Sequence, residues 1–142
     1  MRGDKLYEQA RILHQKLYSR QYRRGKEEEK AYKLYFLALR NSAYLRHPEA
    51  QYEFGQQFED IGFMGMNNPN YNPKKAVYWY TKASLQNHAA ACNNLAHHYE
   101  LGIGCQKNLN KAFALYKKSA ELGYQLGKNN LRIMKRQMLR VK

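Results

Sequence analysis

Apolar side chains recur with the period of an α-helix along most of this chain. Within residues 75–84, Ala76, Trp79 and Ala83 are three to four residues apart, which places them on one face of a helix. Small residues on such a face let a neighbouring helix come close, so Ala83 and Ala112 are predicted to be buried at helix contacts. Similar spacing predicts further helices over residues 48–60, 90–101 and 111–122.

The helix that begins near Lys75 has a copy 36 residues downstream. Lys75, Ala76, Tyr80 and Lys82 return as Lys111, Ala112, Tyr116 and Lys118. The helices at 48–60 and 90–101 match each other at an offset of 41 residues, so the earlier unit has five extra residues within 62–71. A period of this length is typical of stacked helical units that present a binding surface. We therefore predict that the two helices of each unit run antiparallel.

The later unit also carries small, aromatic and lysine residues at characteristic spacings. They are Ala91, Asn94, Leu95, Ala96, Tyr99, Gly102 and Gly104, followed by Lys111, Ala112, Leu115, Tyr116, Lys118, Ser119, Ala120 and Gly123. This pattern resembles the Sel-1-like repeat family, closely over about residues 48–131 and loosely over 6–45. The resemblance implies a tetratricopeptide-like α/α scaffold for protein interactions, in which the first helix of each unit lines a concave groove.

The predicted fold class is all-α: a right-handed α/α superhelix of about three helix-hairpin repeats plus a C-terminal capping helix. The whole chain, residues 1–142, is expected to form a single domain. Its predicted parts are a degenerate repeat at about 6–45, two clear repeats at about 48–86 and 88–123, and the capping helix at about 126–140.

Helical register selects the residues that are expected to face the groove. On the helix at 90–101, Asn93, His97 and Glu100 project from one face. Their equivalents 41 residues earlier are Tyr52, Gln56 and Glu59. We predict that these six side chains bind a protein or peptide.

Catalytic and metal-binding patterns are weak in this sequence. It contains no nucleophile elbow, P-loop or dinucleotide-binding fingerprint. His97 and His98 are adjacent on a predicted helix, so their side chains diverge by roughly 100° and cannot chelate one ion well. We therefore expect no enzyme activity, no metal and no cofactor.

Positive charge is concentrated at the two ends of the chain. The formal net charge is +14, with +7 in residues 1–47 and +6 in residues 127–142. The predicted basic patches consist of Arg20, Arg23 and Arg24 at one end and Arg132, Lys135 and Arg136 at the other. The first interpretation of these patches is that they keep the ends of the chain soluble. As binding surfaces they favour an acidic protein partner, and the chain is then an adaptor or a specific inhibitor such as an immunity protein. The alternative is a nucleic-acid-associated protein that binds through these patches.

Tyrosine is abundant beside these basic residues, and tyrosine rings can stack on bases. However, five of the 13 tyrosines recur at motif positions and are predicted to be core residues. These five are Tyr18, Tyr35, Tyr80, Tyr99 and Tyr116.

Cysteine usage and hydropathy favour a cytoplasmic protein. The chain has only two cysteines, and neither a signal peptide nor a membrane span is recognisable in the sequence. A cysteine-rich branch of the Sel-1-like family bridges each helix pair; Cys92 matches one half of that bridge, whereas Ser84 occupies the other. The resemblance therefore implies that Cys92 and Cys105 are free thiols. It also suggests a bacterial source, and we expect a monomer.

Overall fold

The computed structural model describes residues 1–19, 25–59 and 68–140. These residues form seven α-helices and no β-strand. In chain order the helices are α1 Arg2–Tyr18, α2 Lys26–Tyr44, α3 Pro48–Gln56, α4 Pro73–Leu85, α5 Ala89–Leu101, α6 Leu109–Glu121 and α7 Gln125–Arg140. The chain divides into two compact units, Met1–Phe54 and Gly55–Lys142.

In the first unit, α1 packs against α2. Both helices bury small or aliphatic side chains, among them Ala10 of α1 and Leu39 of α2, which are fully buried. The Ser42 hydroxyl donates a hydrogen bond of 2.7 Å to the carbonyl oxygen of Gly3, which ties the end of α2 to the start of α1. Tyr18 is 60% exposed, so its prediction as a core residue is wrong. It is the last residue of α1 and directly follows Leu17, which takes the buried position at this end of the helix.

Helices α4 and α6 of the second unit begin in the same way. The side chain of Asn72 accepts a hydrogen bond from the Lys75 amide at 3.1 Å, and Asn108 accepts one from the Lys111 amide at 2.9 Å. An asparagine at this position satisfies a backbone donor that the helix itself cannot. The sequence repeat is therefore also a repeat of helix caps.

Helix α5 lies at the centre of the second unit and packs against α4, α6 and α7. One apolar cluster joins α5, α6 and α7 through Ala96, Ala112, Tyr116 and Met134. Ala83 and Ala112 are both fully buried, as the helical pattern predicts. This packing holds the exposed face of α5 in a fixed relation to α6 and α7.

Candidate functional site

A polar pocket of about 620 Å³ lies beside α5 in the second unit. Four of the predicted groove residues line it: Glu59, Asn93, His97 and Glu100. The other lining residues are Asn94, His98, Tyr116, Asn130 and Ile133. Of the two remaining predicted residues, Gln56 is exposed and is not among the described lining residues, and Tyr52 is half-buried in the first unit.

The two adjacent histidines have different environments. His97 is exposed and borders the pocket. His98 is 3% exposed and both of its ring nitrogens face oxygen atoms: Nε2 is 3.0 Å from Glu59 Oε1, and Nδ1 is 2.8 Å from the carbonyl oxygen of Ile103. An imidazole satisfies two acceptors only when both nitrogens carry a proton, so this site favours the charged ring.

The shifts in pKa agree with this geometry. Burial by itself would lower the pKa of His98, but the hydrogen bonds to Glu59 and Ile103 and the negative charge of Glu59 raise it overall. Burial likewise would raise the pKa of Glu59, but the hydrogen bonds from His98 and Tyr80 lower it overall. Glu59 and His98 therefore form a charged pair in the wall of the pocket.

A tyrosine holds each glutamate of the pocket. The Tyr80 hydroxyl donates to Glu59 Oε1 at 2.8 Å, and the Tyr116 hydroxyl donates to Glu100 Oε2 at 2.7 Å. The two glutamates are 41 residues apart and the two tyrosines 36, so these bonds are equivalent in the two repeats. Burial first, and then the hydrogen bond to Glu100, raise the pKa of Tyr116, which keeps its hydroxyl protonated as a donor.

Only one of these glutamates has a cationic partner among the described residues. His98 pairs with Glu59, whereas the residue 36 positions after His98 is Met134, which is buried in the apolar cluster of α5, α6 and α7. Within the described part of the chain, no Lys, Arg or His lies within ion-pair distance of Glu100. The second repeat therefore keeps the Tyr–Glu bond but lacks the histidine.

Asparagine amides form the rest of the polar lining. Asn130 Nδ2 of α7 donates to Asn93 Oδ1 of α5 at 2.9 Å. Asn93 is only 7% exposed, so this bond fixes one amide in the wall, while the neighbouring Asn94 is half-buried. Within the described residues, no group of three or more His, Cys, Asp or Glu side chains could hold a metal ion.

The predicted basic patches do not line this pocket where they are described. Arg132, Lys135 and Arg136 are exposed on α7. Arg20, Arg23 and Arg24 lie outside the described residues.

The family of the chain follows from its repeats. The Sel1 repeat family model matches residues 48–88 and 89–124, which together make up more than half of the chain. The chain belongs to the Sel1 repeat family. Sel1 repeat proteins generally mediate protein–protein interactions and are typically non-catalytic scaffolds. No curated protein gives a significant match to the chain.

Solved structures of Sel1 repeat proteins have the same fold. A Sel1 repeat protein from Oxalobacter formigenes is 25% identical, with a TM-score of 0.68 over 92% of this chain and 89% of that one. The protective antigen c5321 of uropathogenic Escherichia coli strains, which displays an SLR fold, is 21% identical, with a TM-score of 0.72 over 93% of this chain. This chain covers 26% of c5321, about a quarter of its length. Together with the seven described helices, these structures confirm the all-α helical-repeat fold class.

Helicobacter pylori cysteine rich protein B is a third similar structure, at 17% identity, with a TM-score of 0.64 over 91% of this chain and 96% of that one. In the Sel1 repeat protein described here, both cysteines are free. Cys92 is buried with its Sγ 4.0 Å from the carbonyl oxygen of Ser84, and Cys105 is half-buried. Ser84 and Cys92 are therefore neighbours across the α4–α5 contact.

Within residues 1–19, 25–59 and 68–140, no helix combines the length and hydropathy needed to cross a bilayer.

Proposed function

We propose that this Sel1 repeat protein is a non-catalytic adaptor that binds a segment of a partner protein in the polar pocket beside α5. The observation that carries the proposal is the pocket itself. Its volume of about 620 Å³ falls within the ~300–1,000 Å³ of typical ligand sites. Its lining combines amides, two carboxylates and an apolar side chain, which are groups that bind a peptide's backbone and side chains.

The amides suit the peptide backbone because each offers both donors and an acceptor. Asn94 and the exposed His97 supply adaptable polar contacts, and Ile133 supplies an apolar one. The wall behind them is held by the Asn130–Asn93, Tyr80–Glu59 and Tyr116–Glu100 hydrogen bonds. A wall that is already ordered loses little conformational entropy on binding, which favours affinity.

Affinity capture from the native host tests this proposal. The bait is the chain itself, beside Asn94→Ala with His97→Ala as the pocket variant and Arg132→Ala with Arg136→Ala as the control on α7. We expect the pocket variant to recover at least tenfold less of each partner protein than the native bait, and the control to recover as much as the native bait. The reason is that anchors near the centre of an interface carry most of its binding energy. If the control loses its partners and the pocket variant keeps them, the pocket is not the binding site.

The exposed face of α7 supports nucleic-acid binding as a second candidate. Five cations lie on this helix, Lys128, Arg132, Lys135, Arg136 and Arg140, and none forms an ion pair with a described residue. Binding through such a face must weaken steeply with salt, since each neutralised phosphate releases counterions. Titrating a mixed-sequence RNA or DNA oligonucleotide between 50 and 200 mM salt distinguishes this function from peptide binding.

We also propose a reducing, cytoplasmic location in a bacterium. A buried Cys92 opposite Ser84, and similar structures from three bacteria, support this proposal. A specific inhibitor is one form of adaptor that the pocket could serve, and capture of a toxin or effector by the bait would identify it. Intact mass after alkylation of the protein from its native host, unfolded in denaturant without a reductant, checks the compartment, with two labelled thiols expected.

A further inference from the structure

The charge of the pocket is opposite to the charge of the protein. The chain has 25 Lys and Arg residues against 11 Asp and Glu, yet none of the described residues that line the pocket is Lys or Arg. Two of the few acidic residues, Glu59 and Glu100, line it instead. In a chain with more than twice as many cationic as acidic residues, most surface pockets would be expected to contain Lys or Arg. The acidic lining of this pocket is therefore unusual for the protein.

Glu59 has its partners within the protein. A single oxygen, Oε1, accepts hydrogen bonds from Tyr80 at 2.8 Å and from His98 at 3.0 Å. The charged ring of His98 balances the carboxylate, so Glu59 contributes little net charge to the pocket.

Glu100 has only half of this arrangement. Tyr116 holds its Oε2 at 2.7 Å, and the described residues offer Oε1 no hydrogen-bond donor. In the other repeat His98 pairs with Glu59, and the residue equivalent to His98 near Glu100 is the apolar Met134. Glu100 is half-buried, so its charge is less screened by water than that of an exposed carboxylate. The pocket therefore holds one oriented carboxylate whose charge no described residue balances.

We infer that the pocket binds a lysine or arginine side chain of the partner segment, with Glu100 as its counter-ion. This inference rests on the proposed function of the pocket and specifies what it recognises. The partner's cation donates to Glu100 Oε1. It takes the role that the His98 imidazole has beside Glu59 in the other repeat. Charge-assisted bonds of this kind are about twice as strong as neutral ones, which gives Glu100 a large share of the specificity. The partner need not be basic overall, because one side chain is enough.

A pair of matched peptides tests the inference on the isolated protein. The probes are acetyl-Ala-Arg-Ala-amide and its citrulline counterpart, which keeps the shape of arginine without the charge. Nuclear magnetic resonance follows the side-chain amide signals of Asn94 and Asn130, which line the pocket. We expect the arginine peptide to shift these signals saturably, with an affinity at least tenfold higher than that of the citrulline peptide.

Two variants assign the effect to one carboxylate. Glu100→Gln keeps an acceptor for Tyr116 and should abolish the tenfold preference. Glu121→Gln removes the same charge from an exposed position on α6 in the same unit, and should keep the preference. Backbone amide spectra of both variants report whether each has the native fold.

The outcomes separate this inference from the function on which it rests. Equal shifts with both peptides, or tighter binding of acetyl-Ala-Glu-Ala-amide, would overturn the cation site while leaving a peptide-binding pocket. A tenfold preference for arginine that persists in Glu100→Gln would also overturn it. If Glu100→Gln fails to fold, the comparison of the arginine and citrulline peptides on the native protein still tests the cation site. No shift of the pocket signals with any peptide would count against both proposals.

Discussion

Replacing His98 with glutamine should destabilise the second unit by an amount that depends on pH. His98 is buried, and its two ring nitrogens satisfy the Glu59 carboxylate and the Ile103 carbonyl oxygen. Glutamine carries no charge. Its two amide protons are on one nitrogen, so it cannot donate to the two acceptors as the two separate ring nitrogens of histidine do. The variant therefore leaves a carboxylate without its cation in the wall of the pocket.

The magnitude follows from the burial of the pair. Breaking a fully buried ion pair by removing one partner costs about 3–5 kcal/mol. The Glu59 side chain is 31% exposed, so water can partly rehydrate it, and Tyr80 still donates to it. We therefore expect a loss of about 1–3 kcal/mol in the free energy of unfolding near pH 6.

The sign of the pH dependence follows from the two pKa shifts. The pKa of His98 is raised above 6.5, so its contribution is fully present below pH 6.5 and is lost as the pH rises through the folded value. The pKa of Glu59 is lowered below 4.5, so its contribution is present above pH 4.5 and is lost as the pH falls through the folded value. The pair stabilises most between these limits, and the gap between the native protein and His98→Gln should narrow toward pH 9.

Urea unfolding followed by tryptophan fluorescence provides the assay. Trp79 is the single tryptophan of the chain and is buried in α4, so its emission reports on the second unit. The matched control is His97→Gln, the same change at the exposed neighbour, which should stay within about 0.5 kcal/mol of the native protein. If the stability gap of His98→Gln were the same at pH 6 and pH 9, the ring would be neutral in the folded protein and the ion-pair reasoning would be refuted.

Three further changes probe the packing of the second unit. Ala112→Leu should overpack the contact of α6 and cost about 1–3 kcal/mol in urea unfolding, because Ala112 is fully buried; an unchanged midpoint would contradict the packing. Gly127→Ala should also destabilise the protein by about 1–3 kcal/mol, although alanine has the better helix propensity, because the new Cβ would lie 2.7 Å from Ser119 Cβ. A more stable variant would show that α7 can shift to make room. Ser84→Cys should form a disulfide with Cys92 on mild oxidation, seen as a loss of 2 Da and of two alkylatable thiols, and persistent labelling of all thiols would show that the two positions do not align.

The sequence was most informative where the repeat constrains packing. Helices, caps and small contact residues recur at a fixed offset because each must fit the same neighbour, so Ala112 could be predicted to be buried. The pattern failed at Tyr18, where α1 ends and the repeat is degenerate. There the exposed His14 stands where the other unit has Leu95, and its ring lies tilted against that of Tyr18, with 4.5 Å between the ring centroids, while Tyr18 stays 60% exposed.

The pocket was only partly visible in the sequence. Register on α5 identifies the residues that α5 itself contributes, such as Asn93 and Glu100. Applying the 36-residue offset to Asn94 and His97 gives Asn130 and Ile133, so the contribution of α7 was accessible to the same reasoning. The Tyr116–Glu100 bond was not, because it depends on how the chain turns between α5 and α6, which spacing alone does not determine.

Because the described residues of the pocket lining include two glutamates and neither Lys nor Arg, this protein has two opposite electrostatic preferences at different distances. During approach, the net charge of +14 speeds the encounter with acidic surfaces and slows it with basic ones, and salt weakens both effects over a Debye length of about 8 Å at physiological ionic strength. After contact, the partly buried Glu100 is screened far less and favours a cation. Salt should therefore change the association rate strongly and the dissociation rate little. The overall charge of a partner then determines how fast it associates, and a single cationic side chain determines how slowly it dissociates.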